Sequence, residues 1–311
     1  MRTIFLGTPQ FAVPSLTFLA ESQYKPLLVI TQPDRPKGRK RKLQPPAVKM
    51  AAMELNFPVF QPEDVNDPES LIKIRELDPE LIITVAYGGY IRKTLRMLPK
   101  YKCINLHPSL LPLYRGAAPI NYALFNGDKS TGISIFQQTA KMDTGPVLWQ
   151  REIAIDRKDN YTSLSARLAI EGAKDLIRVV ENIEELYKNK QKQNESEATF
   201  SHKIEKQDTF IEWDYRAELI LNRIRGLAEI PGAVAGFRNK RIKLIEAVLI
   251  DGDLGKPGTV HKVDKNGIVI ATKDIGLLIK KVQPEGKKIM TAQAFDLGAR
   301  ISRGEKFSNG F

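Results

Sequence analysis

The residues best suited to chemistry lie together in Asn105-Leu106-His107-Pro108-Ser109-Leu110-Leu111-Pro112, a stretch that holds one of only 3 histidines in the chain. A neutral imidazole, with an ordinary pKa of about 6.5, takes or gives a proton near neutral pH. The Asn105 side chain supplies two N–H donors and a carbonyl acceptor. A third group, Asp143 in Met142-Asp143-Thr144-Gly145-Pro146, offers a carboxylate able to orient an imidazole. An amide, an imidazole and a carboxylate acting together polarise a carbonyl, move a proton and fix a tautomer. The same residues also fit a plainer role, a buried asparagine and a hydrogen-bonded histidine where a strand ends. The sequence by itself does not bring Asp143 to them. His202 and His261 are too scattered to build a ligand set, so no metal is expected.

Presenting such a group is the work of a strand. Residues 101–106 read as one, and side chains alternate along a strand, so Asn105 and His107 share a face. Pro108 and Pro112 then interrupt regular structure, which leaves the pair at the strand's exit, where open α/β sheets bind ligands. Residues 3–6 run into Gly7-Thr8-Pro9 and an apolar helix pattern through Phe11, Leu16 and Leu19, the first unit of a doubly wound sheet. The glycine turn is not of the GxGxxG type, so a dinucleotide site is not supported. Residues 26–30 and 81–85 add strands, the second a continuous apolar run of the kind covered on both faces. It ends at the turn Ala86-Tyr87-Gly88-Gly89-Tyr90. A helix over 117–125 and strands over 132–136 and 147–155 follow, with Asp143 in the loop between those strands. The spacing of Leu164, Leu168, Leu176, Val180, Ile183 and Tyr187 predicts an amphipathic helix that closes the first domain.

Residues 190–197 have no aliphatic side chain and read as a linker. Beyond a helix near 217–227, short strands over 243–249, 258–263, 268–272 and 277–282 recur with turns between them, the pattern of a small antiparallel barrel. The expected fold is therefore α/β, a doubly wound, mostly parallel sheet over 1–189, a linker over 190–208, and an oligonucleotide-binding-like β-barrel over 209–311.

At 311 residues the chain has room for two such cores. The single Cys103 excludes an intrachain disulfide, suits a reducing compartment, and reads as a small buried hydrophobe. No secretory signal precedes the first strand and no apolar run approaches bilayer length, so a cytoplasmic protein without a membrane partner is expected. The net charge of +12 favours a polyanionic partner, and from residue 206 onward 19 Lys and Arg face 13 Asp and Glu. The segment 34–46 carries 6 basic side chains among prolines and a glycine and no apolar face. It reads as a solvated loop, one able to grip phosphates.

The Asn105–Pro112 stretch, Tyr114-Arg115-Gly116-Ala117-Ala118-Pro119-Ile120, and Asp143-Thr144-Gly145 together resemble the signature of the folate-dependent formyltransferases, over about residues 1–300. The resemblance implies a Rossmann-like catalytic domain, 10-formyltetrahydrofolate as co-substrate, and Asn105, His107 and Asp143 as catalytic residues. It also places Ser109, Leu110, Leu111, Pro112 and Tyr87 around the folate. The basic loop and the added basic domain are similar to those of the tRNA-acting branch. That likeness implies the amino group of initiator methionyl-tRNA as acceptor, for translation initiation, and no DNA partner. Arg39, Arg41, Lys42, Lys203 and Lys206 are the expected tRNA contacts. The chain departs from the branch in having Lys40 after Arg39, where glycine is frequent, and one proline, Pro231, where two are frequent. Two other readings stand beside this one. The acceptor could be a small amine, such as glycinamide ribonucleotide or an amino sugar nucleotide, although the ribonucleotide enzymes commonly carry a histidine where Phe136 or Gln137 stands here. Or the chain could be an inert RNA-binding protein, against which the intact Asn105, His107 and Asp143 argue.

Overall fold

Seven strands, Thr3–Gly7 (β1), Pro26–Ile30 (β2), Val59–Phe60 (β3), Leu81–Val85 (β4), Cys103–His107 (β5), Ser130–Gln137 (β6) and Val147–Ala154 (β7), form one sheet in the order β7-β6-β5-β4-β1-β2-β3. The pairs from β3 to β5 are parallel, while β6 and β7 add antiparallel neighbours. Every side chain of β1 and β4 is buried, which is why both read as unbroken apolar runs. The computed structural model describes residues 1–37 and 42–309. They fall into two compact units, one of Met1–Gly116, Ser130–Ala154 and Ser165–Phe200, the other of Ala117–Lys129, Ile155–Leu164 and Ser201–Phe311.

In the first unit, Val13–Glu21 (α1) follows β1 and Ala47–Glu54 (α2) follows β2. Pro68–Glu76 (α3) begins at Asp67, whose carboxylate accepts the Ser70 N–H at 2.7 Å as an N-cap. Ile74 of α3 joins Ile4, Leu6, Ile30, Ile82 and Cys103 in one apolar cluster. Burial pushes the Cys103 thiol pKa up, consistent with a packing role. The predicted amphipathic helix is observed as Tyr161–Glu181 followed by a short helix, Ile183–Lys188. Gly172 lies against Leu106, where a Cβ would approach a Leu106 methyl to 2.9 Å. Arg151 of β7 pairs with Glu171 at 2.8 Å and with the fully buried Asp175 at 2.7 Å, which fastens the edge strand to that helix.

The basic segment departs from the expected loop. Arg35–Lys37 and Lys42–Gln44 pair as an antiparallel ribbon, Arg35 opposite Gln44 and Pro36 opposite Leu43. Backbone pairing of this kind needs no apolar face, and Leu43 is 69% exposed on it. The ribbon springs from a fixed base. The Asp34 carboxylate accepts bonds from Gln61 at 2.8 Å and from Lys49 at 2.9 Å, and these hold its pKa below the usual carboxylate range.

In the second unit, Ala233–Phe237 (β8), Lys240–Ile250 (β9), Val260–Asp264 (β10), Gly267–Ala271 (β11), Gly276–Pro284 (β12) and Phe307–Ser308 (β13) run in the order β10-β11-β12-β9-β8-β13. The two edges meet: Thr259 bridges Lys306, and the Phe307 N–H donates to the Gly258 carbonyl at 2.8 Å, so the sheet closes on itself. Trp213, Phe237 and Phe307 fill the interior, the two phenylalanine rings stacked with centroids 4.5 Å apart. Residues 117–129 and 155–164 come before the expected linker, yet they pack with this unit. The Asn121 amide donates to the Gly226 carbonyl at 2.7 Å, and Arg225 donates to the carbonyls of Asp159 and Asp156 at 2.7 and 2.9 Å. These are polar, local contacts with no periodic signature.

Helix Ala217–Leu227 starts on an anion. The Asp274 carboxylate accepts the Ala217 N–H at 2.8 Å, the Ile275 N–H at 2.9 Å and the Arg216 Nε–H at 3.2 Å. The Ala217 bond is the largest cause of an Asp274 pKa lowered to about 2. An unfolded aspartate titrates near ~3.9, so the stabilisation is complete above that pH and is lost as pH falls through the folded value. Asp274→Ala is expected to cost about 1–2 kcal/mol near neutrality, the usual worth of a carboxylate at a helix start. The difference in unfolding midpoint from the parent should shrink toward acid. A gap that stays constant down to about pH 2 would show the carboxylate has no such role.

Candidate active site

Asn105 and His107 stand two apart on β5, and the neighbouring strands hold both in register, Thr84 opposite Asn105 and Ser134 opposite His107. The Thr84 hydroxyl, on a side chain 1% exposed, lies 2.9 Å from Asn105 Oδ1 and 2.9 Å from the Ile104 carbonyl. With Oδ1 accepting from that hydroxyl, the Asn105 NH2 group is the free end of the amide, and it has no protein acceptor among the described residues. A half-buried donor in that state is an available partner for a ligand oxygen.

The His107 ring is almost fully buried, and its edge meets the Phe136 ring at a centroid distance of 6.5 Å. Nε2 lies 3.0 Å from the Tyr114 carbonyl oxygen, which can only accept, so Nε2 carries the proton. Nδ1 is thereby left as the nitrogen that gains or loses one. It faces Asp143 Oδ2 at 3.8 Å, longer than a direct hydrogen bond. The Tyr114 carbonyl fixes the tautomer of the imidazole, and the Asp143 carboxylate lies beside its other nitrogen.

The loop that carries Asp143 leaves β6 at Gln138, whose N–H bonds to Cys103 O at 2.8 Å, and brings the Asp143 carboxylate to 3.8 Å from the His107 ring. Asp143 Oδ2 accepts the Gly116 N–H at 2.8 Å. Gly116 has φ +120°, a conformation open to glycine alone. Gly145 is equally constrained, since a Cβ there would lie 1.6 Å from the Gln137 carbonyl oxygen.

The segment read as a linker is built into this region. Gln191 exchanges two backbone bonds with Val147 at 2.7 and 2.8 Å, and the Thr199 carbonyl accepts the Arg115 N–H at 2.9 Å. Arg115, 2% exposed, makes a forked pair with Glu195 at 2.8 and 2.9 Å and donates to Gln193 Oε1 from Nε and Nη2. These bonds hold the Glu195 carboxyl below its usual pKa. Gln193 Nε2 donates to the carbonyls of Asp143 and Gly145 at 2.8 and 2.7 Å. Arg115 is thus engaged internally and is not a free phosphate contact. No composition signal marks Gln193 or Thr199, because side chain-to-backbone bonds leave no pattern in sequence.

The residues expected around a folate divide into two sets. Ser109 is fully buried and its hydroxyl donates to the Leu113 carbonyl at 2.6 Å, while Leu111 is 4% exposed and its N–H bonds to Ser134 Oγ. Tyr87 is 5% exposed within the apolar cluster around Ile4 and Leu6, and burial raises its pKa to about 12. All three side chains are buried, whereas Leu110 and Pro112 are half-buried. Among the expected tRNA contacts, Lys42, Lys203 and Lys206 are exposed, Lys203 with Glu205 3.8 Å away. Arg39 and Arg41 lie outside the described residues. No helix among the described residues is long and apolar enough to cross a membrane.

A mostly parallel sheet with an amide and an imidazole on one strand and a loop carboxylate beside them, followed by a β-barrel, defines a group-transfer enzyme of the formyl transferase class. Residues 1–180 match the Formyl transferase family and residues 203–300 match the Formyl transferase C-terminal domain, and the chain belongs to this family. Methionyl-tRNA formyltransferase of Thermodesulfovibrio yellowstonii is 42% identical over 303 residues, 97% of either chain. Two solved structures share the fold. Methionyl-tRNA formyltransferase from Clostridium thermocellum superposes with a TM-score of 0.58 at 21% identity, over 81% of this chain and 95% of that one. HypX from Aquifex aeolicus, in complex with tetrahydrofolic acid, gives 0.64 at 18% identity, over 100% of this chain and 51% of that one.

Proposed function

We infer that this chain transfers the formyl group of 10-formyltetrahydrofolate to the free α-amino group of initiator methionyl-tRNA. The observation that carries the reading is the 42% identity to a methionyl-tRNA formyltransferase across 97% of both chains. The side-chain set on β5 and its neighbouring loop suits the reaction. The folate supplies a formyl carbon activated by its bond to nitrogen. Asn105 directs its unpartnered N–H at the formyl oxygen, where negative charge develops. As the amine's bond to the formyl carbon forms and the folate C–N bond breaks, His107, held through Nε2, carries the proton lost by the amine through Nδ1 to the departing folate nitrogen. Asp143, anchored by the Gly116 N–H, takes up positive charge on the attacking amine, directly or through one water. Ser109, Leu110, Leu111, Pro112 and Tyr87 border the folate, Leu110 and Pro112 from half-buried positions and the other three from buried ones. We assign the chemistry to residues 1–189 and much of the hold on tRNA to 209–311, with Arg39, Arg41, Lys42, Lys203 and Lys206 against phosphates.

Incubation with 10-formyltetrahydrofolate and a panel of acceptors tests this directly. Formyl-methionine is expected on charged initiator tRNA, with little on elongator methionyl-tRNA, and tRNA affinity should fall steeply with salt. Formylation of glycinamide ribonucleotide or an amino sugar nucleotide, with none on tRNA, would overturn the assignment of the acceptor.

A further inference from the structure

We propose that Gln193 is a positioning residue for Asp143, setting the loop that presents the carboxylate to the reacting amine. The inference rests on the catalytic reading of Asp143 given above. Asp143 has φ +54°, a backbone conformation that a non-glycine residue holds only where its surroundings impose it. Among the described residues its carboxylate has one backbone donor, Gly116. The loop is braced within itself by the Thr139 and Thr144 hydroxyls, which meet each other and the Lys141 carbonyl, and Gln193 ties it to its surroundings. Both of its amide hydrogens point at this loop, one to the carbonyl of Asp143 at 2.8 Å and one to that of Gly145 at 2.7 Å.

The other end of the same side chain is equally determined. Gln193 Oε1 accepts from Arg115 Nε at 3.0 Å and from Nη2 at 2.8 Å, and Arg115 is locked by its fork with Glu195. Rotating the carboxamide by half a turn would set its NH2 against a guanidinium and its oxygen against two carbonyls. Only one orientation satisfies every donor and acceptor. Arg115 is also bonded in sequence to Gly116, the donor to Asp143 Oδ2. The backbone and the carboxylate of Asp143 are therefore both referenced to residues 115 and 116, the first through Gln193 and the second directly. Gln193 is itself held by the Gln191–Val147 bridge two residues upstream.

Two substitutions separate positioning from bulk stability. Gln193→Met keeps the length of the side chain and removes every hydrogen bond. Gln193→Glu keeps the acceptor for Arg115 and turns an oxygen toward the two carbonyls. Each is expected to lower kcat by roughly 10–100-fold, the scale of a misplacement near 1 Å, with KM for folate and for tRNA changed much less. In an Asp143→Ala background, where there is no carboxylate left to place, adding Gln193→Met should change kcat by less than about twofold. Amide exchange at Gly116, read by mass spectrometry or NMR, should quicken in Gln193→Met, because the acceptor of that N–H is no longer fixed. A kcat within about twofold of the parent, an equal loss with and without Asp143, or unchanged Gly116 exchange would each overturn the proposal. The exchange measurement needs no substrate. A parent protein that transfers no formyl group but shows the Gln193-dependent exchange would refute the functional reading and leave the structural role of Gln193 standing.

Discussion

His107→Ala is expected to lower kcat for formyl transfer by about 10²–10⁴-fold, the range set by loss of a positioned proton carrier. The geometry makes this one of the two largest single effects expected in the chain. The ring's Nε2–H is committed to the Tyr114 carbonyl at 3.0 Å, so its only exchangeable position in the neutral form is Nδ1, on the side of Asp143. Alanine removes that nitrogen and leaves the Tyr114 carbonyl without the ring N–H. A lost buried bond of this kind costs about 1–3 kcal/mol, which a cooperatively folded domain usually withstands. Single-turnover rates with saturating folate and charged tRNA, alongside an unfolding midpoint, separate the two effects. Because His107 is expected to act on the reacting atoms and not on either substrate's remote parts, KM should stay within a few-fold. Turnover within tenfold of the parent in a folded variant would take His107 out of the catalytic set.

Much of this arrangement was legible before any coordinates, and the parts that were not share a cause. β1 and β4 are short, wholly apolar or buried runs, and strands covered on both faces leave that signature, while β5 stops at Pro108. The barrel strand Lys240–Ile250 alternates over most of its length because one face is buried, whereas Gly276–Pro284 opens with four buried residues and reads as an apolar run. Pairs set by alternation, such as Asn105 with His107, follow from the strand alone. What stayed hidden depends on bonds between side chains and backbone. Gln193 sits in a stretch with no aliphatic residue and so reads as a tether, although its carboxamide joins the Asp143 loop to Arg115. Arg115 is 2% exposed and bonded to Gln193 and Glu195, partners that lie about 80 residues away and leave no local pattern. The ribbon formed by Arg35–Lys37 and Lys42–Gln44 escaped notice because backbone pairing alone makes it.

The direction from which Asp143 arrives carries a physical consequence. β6 runs antiparallel to β5, so the loop leaving β6 begins beside Cys103, and Asp143 on it lies 3.8 Å from the His107 ring. A carboxylate delivered on a loop has no strand to hold it, and the chain compensates with Gly116 at a positive φ and with Gly145, whose backbone lies against the Gln137 carbonyl. Asn105 and His107 need no such help, being fixed by the sheet. The proposed catalytic set thus combines two members fixed by the sheet with one whose position is built from loop contacts, and substitutions around Asp143 should act at longer range than those around β5.

Asn105→Ala is expected to reduce kcat by roughly 10²–10³-fold, the usual loss for one donor to a developing oxyanion. The effect depends on which end of the amide faces the substrate, and Thr84 decides that. While the Thr84 hydroxyl donates to Oδ1, at 2.9 Å, the NH2 group must point away from it. A hydroxyl has one hydrogen, however, and the Ile104 carbonyl at the same distance competes for it. Were the hydrogen given to Ile104, the Thr84 oxygen would become an acceptor and the amide could turn over, presenting its carbonyl to the formyl oxygen in a repulsive contact. Thr84→Val, nearly isosteric on a strand, removes the hydroxyl and with it the bias, and about a tenfold loss in kcat is expected from the donor hydrogen bond left unsecured. Thr84→Ser should restore most of the rate. In an Asn105→Ala background the valine substitution should have little further effect, since there is no amide left to orient. Equal losses in both backgrounds would mean that Thr84 acts on the strand rather than on the asparagine, and an Asn105→Ala enzyme with near-parental turnover would place the oxyanion donor elsewhere.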